Sequence, residues 1–70
     1  MALQKRSFSL SGHRTSVALE AEFWAVIESE AKNSSQSLAA YVAEIDRKRG
    51  TRPLAGALRL AALAAVARRN

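Results

Sequence analysis

From Arg6 to Leu10 the apolar side chains fall on alternate positions, Phe8 and Leu10, with Ser7, Ser9 and Ser11 between and after them. Spacing of two is the mark of a half-buried strand. Ser11-Gly12-His13 interrupts the run, and the alternation resumes from Arg14 to Leu19. Thr15, Val17 and Leu19 share one face of this second stretch, while Arg14, Ser16 and Ala18 share the other. Gly12 tolerates positive φ, so a turn there can fold the first stretch back on the second as a hairpin. The pattern leaves residues 5–10 open between a strand and a mobile arm. Right after Leu19 the period changes to that of a helix with no linker between the two.

Three helical segments follow. The first is expected over residues 21–33, where Phe23, Trp24, Val26, Ile27 and Ala31 recur at three- and four-residue spacing. Glu20 and Glu22 stand where its positive dipole end would be, and Glu28 and Lys32 form an i,i+4 pair on its outer face. Asn33-Ser34-Ser35-Gln36 is a polar stop, and Ser37 stands as an N-cap before a second helix over 38–49. Leu38, Tyr41, Val42 and Ile45 make a full apolar stripe on that helix. Gly50 and Pro53 punctuate the approach to a third helix, expected over 54–68. Leu54, Leu58, Ala61, Ala62 and Ala65 form its small-residue stripe, and Leu60 and Leu63 point elsewhere. A second apolar side of that kind suggests contact with another subunit or protein.

The chain has 70 residues and no cysteine, which bounds what holds it together. A single domain of this size buries only about 60% of the surface its unfolded chain exposes, so a staple is expected. Disulfides are excluded, and one histidine, His13, cannot make a metal site, so no metal or cofactor is expected. Oligomerisation is the remaining staple. Gln4, Lys5 and Arg6 break the N-terminal stretch, so no secretory signal is read and a cytoplasmic setting is expected. The apolar run between Arg59 and Arg68 is far shorter than the roughly 20 residues that span a bilayer, so no membrane role is expected.

Net charge is +5, unevenly spread along the chain. Lys5, Arg6 and Arg14 are unopposed in residues 1–19, six carboxylates face only Lys32 in residues 20–46, and seven cations are unopposed in residues 47–70. Basic ends around an acidic middle are a distribution that nucleic-acid-binding proteins use, and equally one of a solvated surface. A chain with no room for a shielded pocket argues against catalysis, so no enzymatic activity and no catalytic residue are expected.

Strand, helix, polar turn with a capping serine, and helix, running from Arg14 to Lys48, resemble the ribbon-helix-helix family of bacterial DNA-binding proteins. Gly12-His13-Arg14-Thr15-Ser16, Leu19-Glu20, Phe23-Trp24, Ala43-Glu44-Ile45-Asp46 and Ala57-Leu58-Arg59 resemble its small standalone members. The resemblance implies a mostly α fold with a short N-terminal β-ribbon (hairpin 6–19), intertwined as a homodimer, with an extra C-terminal helix in a single domain over 1–70. It implies an antiparallel ribbon with one strand from each subunit, lying in the major groove of double-stranded DNA for transcriptional regulation. Base contacts then fall to Arg14, Ser16 and Ala18, where Ala18 departs from the polar residue usual in the family. Phosphate contacts fall to the start of the second helix, Gln36, Ser37 and Leu38, joined by Lys5, Arg6 and His13. The implied dimer core is Thr15, Val17, Leu19, Phe23, Trp24, Ile27, Leu38, Tyr41, Val42 and Ile45. The competing reading is a dimeric protein-interaction module or antitoxin-like adaptor whose protein partner sits on residues 54–69.

Overall fold

The computed structural model describes residues 2–69 as β1 (Leu3–Leu10), β2 (His13–Glu20), α1 (Ala21–Asn33), α2 (Leu38–Lys48) and α3 (Leu54–Arg69). β1 and β2 pair antiparallel within the chain, with Leu10 opposite His13, Ser7 opposite Ser16 and Leu3 opposite Glu20. Ser11 and Gly12 make the connection, both at positive φ (52° and 81°). Two consecutive positive φ values are what a type I′ turn needs, and its twist matches that of the flanking strands.

Each helix end has a local cause. Glu20 stands at the N-cap of α1 without a side-chain cap, while Glu22 lies in the first turn. At the other end the N–H of Ser35 donates to the Lys32 carbonyl (3.1 Å) and that of Gln36 to the Ala31 carbonyl (2.9 Å). With Ser35 at φ 56° this is a Schellman closure, built on serine where glycine is usual. Ser37 caps α2, its Oγ accepting from the Ala40 N–H at 3.1 Å. Gly50, at φ 62°, follows the last turn of α2 and lets the chain reverse toward α3.

Phe8, Leu10, Val17, Leu19, Trp24, Ile27, Val42, Leu54, Leu58 and Ala62 form one buried cluster, with Leu19, Ile27, Val42 and Leu58 wholly removed from solvent. Trp24 is its anchor. The indole Nε1–H donates to the Gln4 carbonyl (2.8 Å), the ring lies 6.1 Å from that of Phe8, and the Arg6 guanidinium sits 4.8 Å above its centroid.

The hairpin expected over residues 6–19 and the extra C-terminal helix are both present. β1 pairs with one edge of β2 and α3 closes the opposite side, so Val17, Leu19, Trp24, Ile27 and Val42 are buried within the single chain. Thr15, Phe23, Leu38, Tyr41 and Ile45 are half-buried. On α3 the buried stripe is Leu54, Ala57, Leu58, Ala62 and Ala65, with Ala57 more deeply buried than the expected Ala61.

Candidate nucleic-acid interface

A two-residue turn fixes the register, and the register fixes which side chains stand together. The inner face of the hairpin carries Gln4, Arg6, Phe8 and Leu10 opposite Leu19, Val17, Thr15 and His13. The outer face carries three central rows, Ser9 beside Arg14, Ser7 beside Ser16 and Lys5 beside Ala18. Ala18 is half-buried and the other five are exposed. Ser7 Oγ and Ser16 Oγ lie 2.9 Å apart. One hydroxyl donates to the other, which leaves the pair one free hydrogen and spare lone pairs for an outside partner. At about 3.4 Å per residue, Arg14 to Ala18 spans about 14 Å along the ribbon.

The charges near this face are settled by ion pairs that the linear sequence does not disclose. Arg6 bonds Glu28 of α1, Arg59 reaches Glu20 at 3.0 Å, and Arg68 and Arg69 share Glu30 at 2.9 and 2.6 Å. Lys48 pairs with Glu44 and Arg49 with Asp46. The expected Glu28–Lys32 pair gives way to Glu28–Arg6, because β1 brings Arg6 over α1. Acidic middle and basic ends are therefore interleaved in space. Among the described residues Lys5, Arg14, Lys32, Arg47 and Arg52 have no carboxylate partner. Two of these five stand on the outer face of the ribbon.

Glu20 is the one carboxylate on that face, at its open end opposite Leu3. A backbone hydrogen bond, and after it the Arg59 side chain, hold its carboxyl below the ordinary range. It stays ionised at neutral pH, with its charge answered by Arg59, whose guanidinium also sits 5.8 Å above the Phe23 ring.

The remaining candidate residues separate into available and engaged ones. His13 is exposed beside the turn. At the start of α2 the Ser37 cap serves the Ala40 N–H, and the N–H of Leu38 in the first turn has no acceptor within the helix. Gln36 is engaged: its N–H closes the end of α1 and its Nε2 donates to Glu44 Oε1 at 3.1 Å. Arg6 is engaged likewise, paired with Glu28 and stacked on Trp24. Ser7 and Ser9 were not among the expected contact residues. The signal was present, since a two-residue turn at Ser11-Gly12 would place them opposite Ser16 and Arg14.

No helix among the described residues is long and apolar enough to cross a membrane, and no cluster of three potential metal ligands occurs among them. Residues 3–66 match the family model described as a ribbon-helix-helix domain. No curated protein and no solved structure shows significant similarity to the chain.

Proposed function

Since the chain belongs to the ribbon-helix-helix family, whose domains generally bind DNA in transcription regulators, we propose that it is a cytoplasmic DNA-binding regulator that reads the major groove with the outer face of its ribbon. One observation carries the reading: Lys5 and Arg14 stand there among the hydroxyls of Ser7, Ser9 and Ser16 without a carboxylate partner, and the single acid on that face is neutralised by Arg59. A two-stranded ribbon fits the major groove, where each base pair presents its own donors and acceptors. Arg14 donates twice to a guanine edge, Ser16 donates or accepts, and Ala18 packs its methyl group on a thymine methyl. The first turn of α2 at Ser37 and Leu38 holds a backbone phosphate on its free N–H groups and positive dipole end. Lys5 on β1 and His13 at the start of β2 add contacts of their own. The chemistry is recognition, and no reaction is assigned.

A gel-shift titration against random and genomic duplexes at low salt tests this. Retarded complexes are expected, weakening linearly in log–log terms with a slope of about −0.9 for each phosphate neutralised. Arg14→Ala should lower affinity for the preferred sequence about tenfold to a hundredfold while sparing non-specific binding. Binding indifferent to that substitution would remove the ribbon from the interface.

Protein recognition through α3 is a second reading, favoured by a separate observation. Leu60, Leu63 and Val66 are 46%, 58% and 39% exposed, and Leu60 continues into a groove shared with α2, floored by Ile45, Ala57 and Ala61 and rimmed by Lys48, Arg49 and Arg52. Antiparallel packing of two α3 helices on this side would bring that cationic rim against the partner's Arg68 and Arg69. The charge pattern therefore favours an acidic amphipathic helix of another protein over a second copy. Isothermal titration with a Leu/Glu amphipathic peptide should give saturable binding that Leu60→Glu abolishes; equal binding by the variant would reduce it to bulk charge attraction.

A further inference from the structure

Resting on the DNA-binding reading, we propose that β1 is a phosphate clamp: it holds the DNA backbone at the lip of the major groove through the N–H groups and side chains of Lys5, Ser7 and Ser9, and leaves base reading to β2. The register decides which backbone groups are open. Leu10 and His13 flank a two-residue turn and so exchange backbone hydrogen bonds, as do, at every second pair, Phe8 with Thr15, Arg6 with Val17 and Gln4 with Leu19. The N–H and C=O groups of Lys5, Ser7 and Ser9 therefore point out of the hairpin on the β1 side, and those of Arg14, Ser16 and Ala18 point out on the β2 side. The 2.9 Å between Ser7 Oγ and Ser16 Oγ agrees with this, since side chains come nearest at pairs that share no backbone bond.

Two edges are open, and they meet different things. Family members generally bind DNA as dimers, and the ribbon implied for them takes one strand from each subunit. β2, with Arg14, Ser16 and Ala18, is the strand that meets its copy. That pairing occupies the β2 edge and leaves β1 outermost on both sides. Four strands spaced at about 4.8 Å put the two outer axes about 14 Å apart, whereas the major groove is about 12 Å wide. The two β2 strands then lie over the base edges, and the β1 of each subunit lies over a phosphate wall.

The groups β1 presents there suit a phosphate. Lys5, Ser7 and Ser9 are all exposed, and Lys5 has no carboxylate partner among the described residues. Backbone N–H groups, serine hydroxyls and lysine are all donors that position proteins on the DNA backbone without reading sequence, lysine acting as a point charge. The two serines are short, so the strand itself can come close. β1 is also fixed before DNA arrives, by the burial of Phe8 and Leu10, by the Trp24–Gln4 hydrogen bond and by the Arg6–Glu28 pair. Donors already held in place lose little freedom on binding.

Affinity over a salt series, with binding-site selection from a random duplex library, tests this on the full chain and its Lys5→Ala, Ser9→Ala and Ser9→Pro variants. Proline has no N–H, and where that N–H faces out of the hairpin it leaves the ladder intact, which circular dichroism checks. Lys5→Ala should select the same motif as the unaltered chain and bind every sequence more weakly, by about tenfold per subunit at low salt, with the salt slope smaller by about 0.9 per subunit. Ser9→Pro should bind several-fold more weakly than Ser9→Ala, again without a change of motif. A Lys5→Ala variant that relaxes one base position at an unchanged slope would make Lys5 a base reader and overturn the clamp; unchanged affinity would take β1 off the DNA. Equal binding by Ser9→Pro and Ser9→Ala would remove the strand's N–H groups from the contact and overturn it too. Lys5→Ala carries the test by itself should the proline variant's dichroism change. In each of these cases an Arg14→Ala variant with an altered motif leaves the DNA-binding reading standing, whereas absence of any complex at low salt would overturn both.

Discussion

Ser35 holds φ 56° so that its own N–H and that of Gln36 can close the end of α1 on Lys32 and Ala31. A side chain in the left-handed region costs about 1–2 kcal/mol relative to glycine, partly offset by the greater freedom glycine has when unfolded. Ser35→Gly should therefore stabilise the protein by up to about 1 kcal/mol, seen as a rise in Tm of roughly 4–8 °C per kcal/mol for a domain of this size. Trp24 works in the opposite sense. It is 1% exposed, packs on Phe8 and Arg6, and donates to Gln4. Trp24→Ala should cost about 3–5 kcal/mol, most of the stability of so short a chain, and urea unfolding followed by circular dichroism would measure it. Glu20 supplies the titratable case. Its folded carboxyl lies below the ordinary value, so the contribution is fully present above the unfolded pKa and is lost as the pH falls through the folded one. Arg59→Ala should move that carboxyl back toward the ordinary value only in part, because the larger cause, the backbone hydrogen bond, remains. Carboxyl NMR titration reads this directly; an unchanged midpoint would show that Arg59 contributes nothing to the shift.

At the scale of elements the hairpin is decisive, and its tightest point is the turn. Ser11 takes the first of two positive φ positions, where Asn-Gly is the favoured pair. Ser11→Asn should stabilise the hairpin by a few tenths to about 1 kcal/mol and leave the register of Ser7 against Ser16 untouched. Thermal melting checks the first expectation and cross-strand NOEs between Phe8 and Thr15 check the second. The hairpin lays the inner residues of β2 on the helices, and the same turn lines up the serines of β1 with the serine and arginine of β2.

For the molecule as a whole, α3 is the element that changes the balance. Leu54, Ala57, Leu58, Ala62 and Ala65 are five of the thirteen buried hydrophobic residues among those described. Its arginines also reach back to both ends of α1, through Arg59–Glu20 and through Arg68 and Arg69 with Glu30. Each such pair is partly exposed and weakened by solvent screening, so the apolar surface dominates. A chain ending before Leu54 should lose cooperative unfolding and the near-ultraviolet signal of Trp24. Retention of a sharp transition in that truncation would mean that β1, β2, α1 and α2 close a core of their own.

Much of this was legible from the linear pattern because it is local. Alternation at Phe8 and Leu10 and at Thr15, Val17 and Leu19 picks the buried side of each strand, the three- and four-residue spacing marks the helices, and Ser37 and Gly50 mark two of their ends. Which strand pairs with which is not local. The alternation of β2 does not say which strand lies beside it, and β1 takes one of its edges because a two-residue turn holds it close and Trp24 secures it from α1. Charge behaves in the same way: the signs are written along the chain, but which cations remain free depends on side chains meeting across more than twenty residues, as Arg6 meets Glu28. Residue order determined the faces, and tertiary packing decided what each face meets, since pairing energies depend on distances that only the folded chain sets.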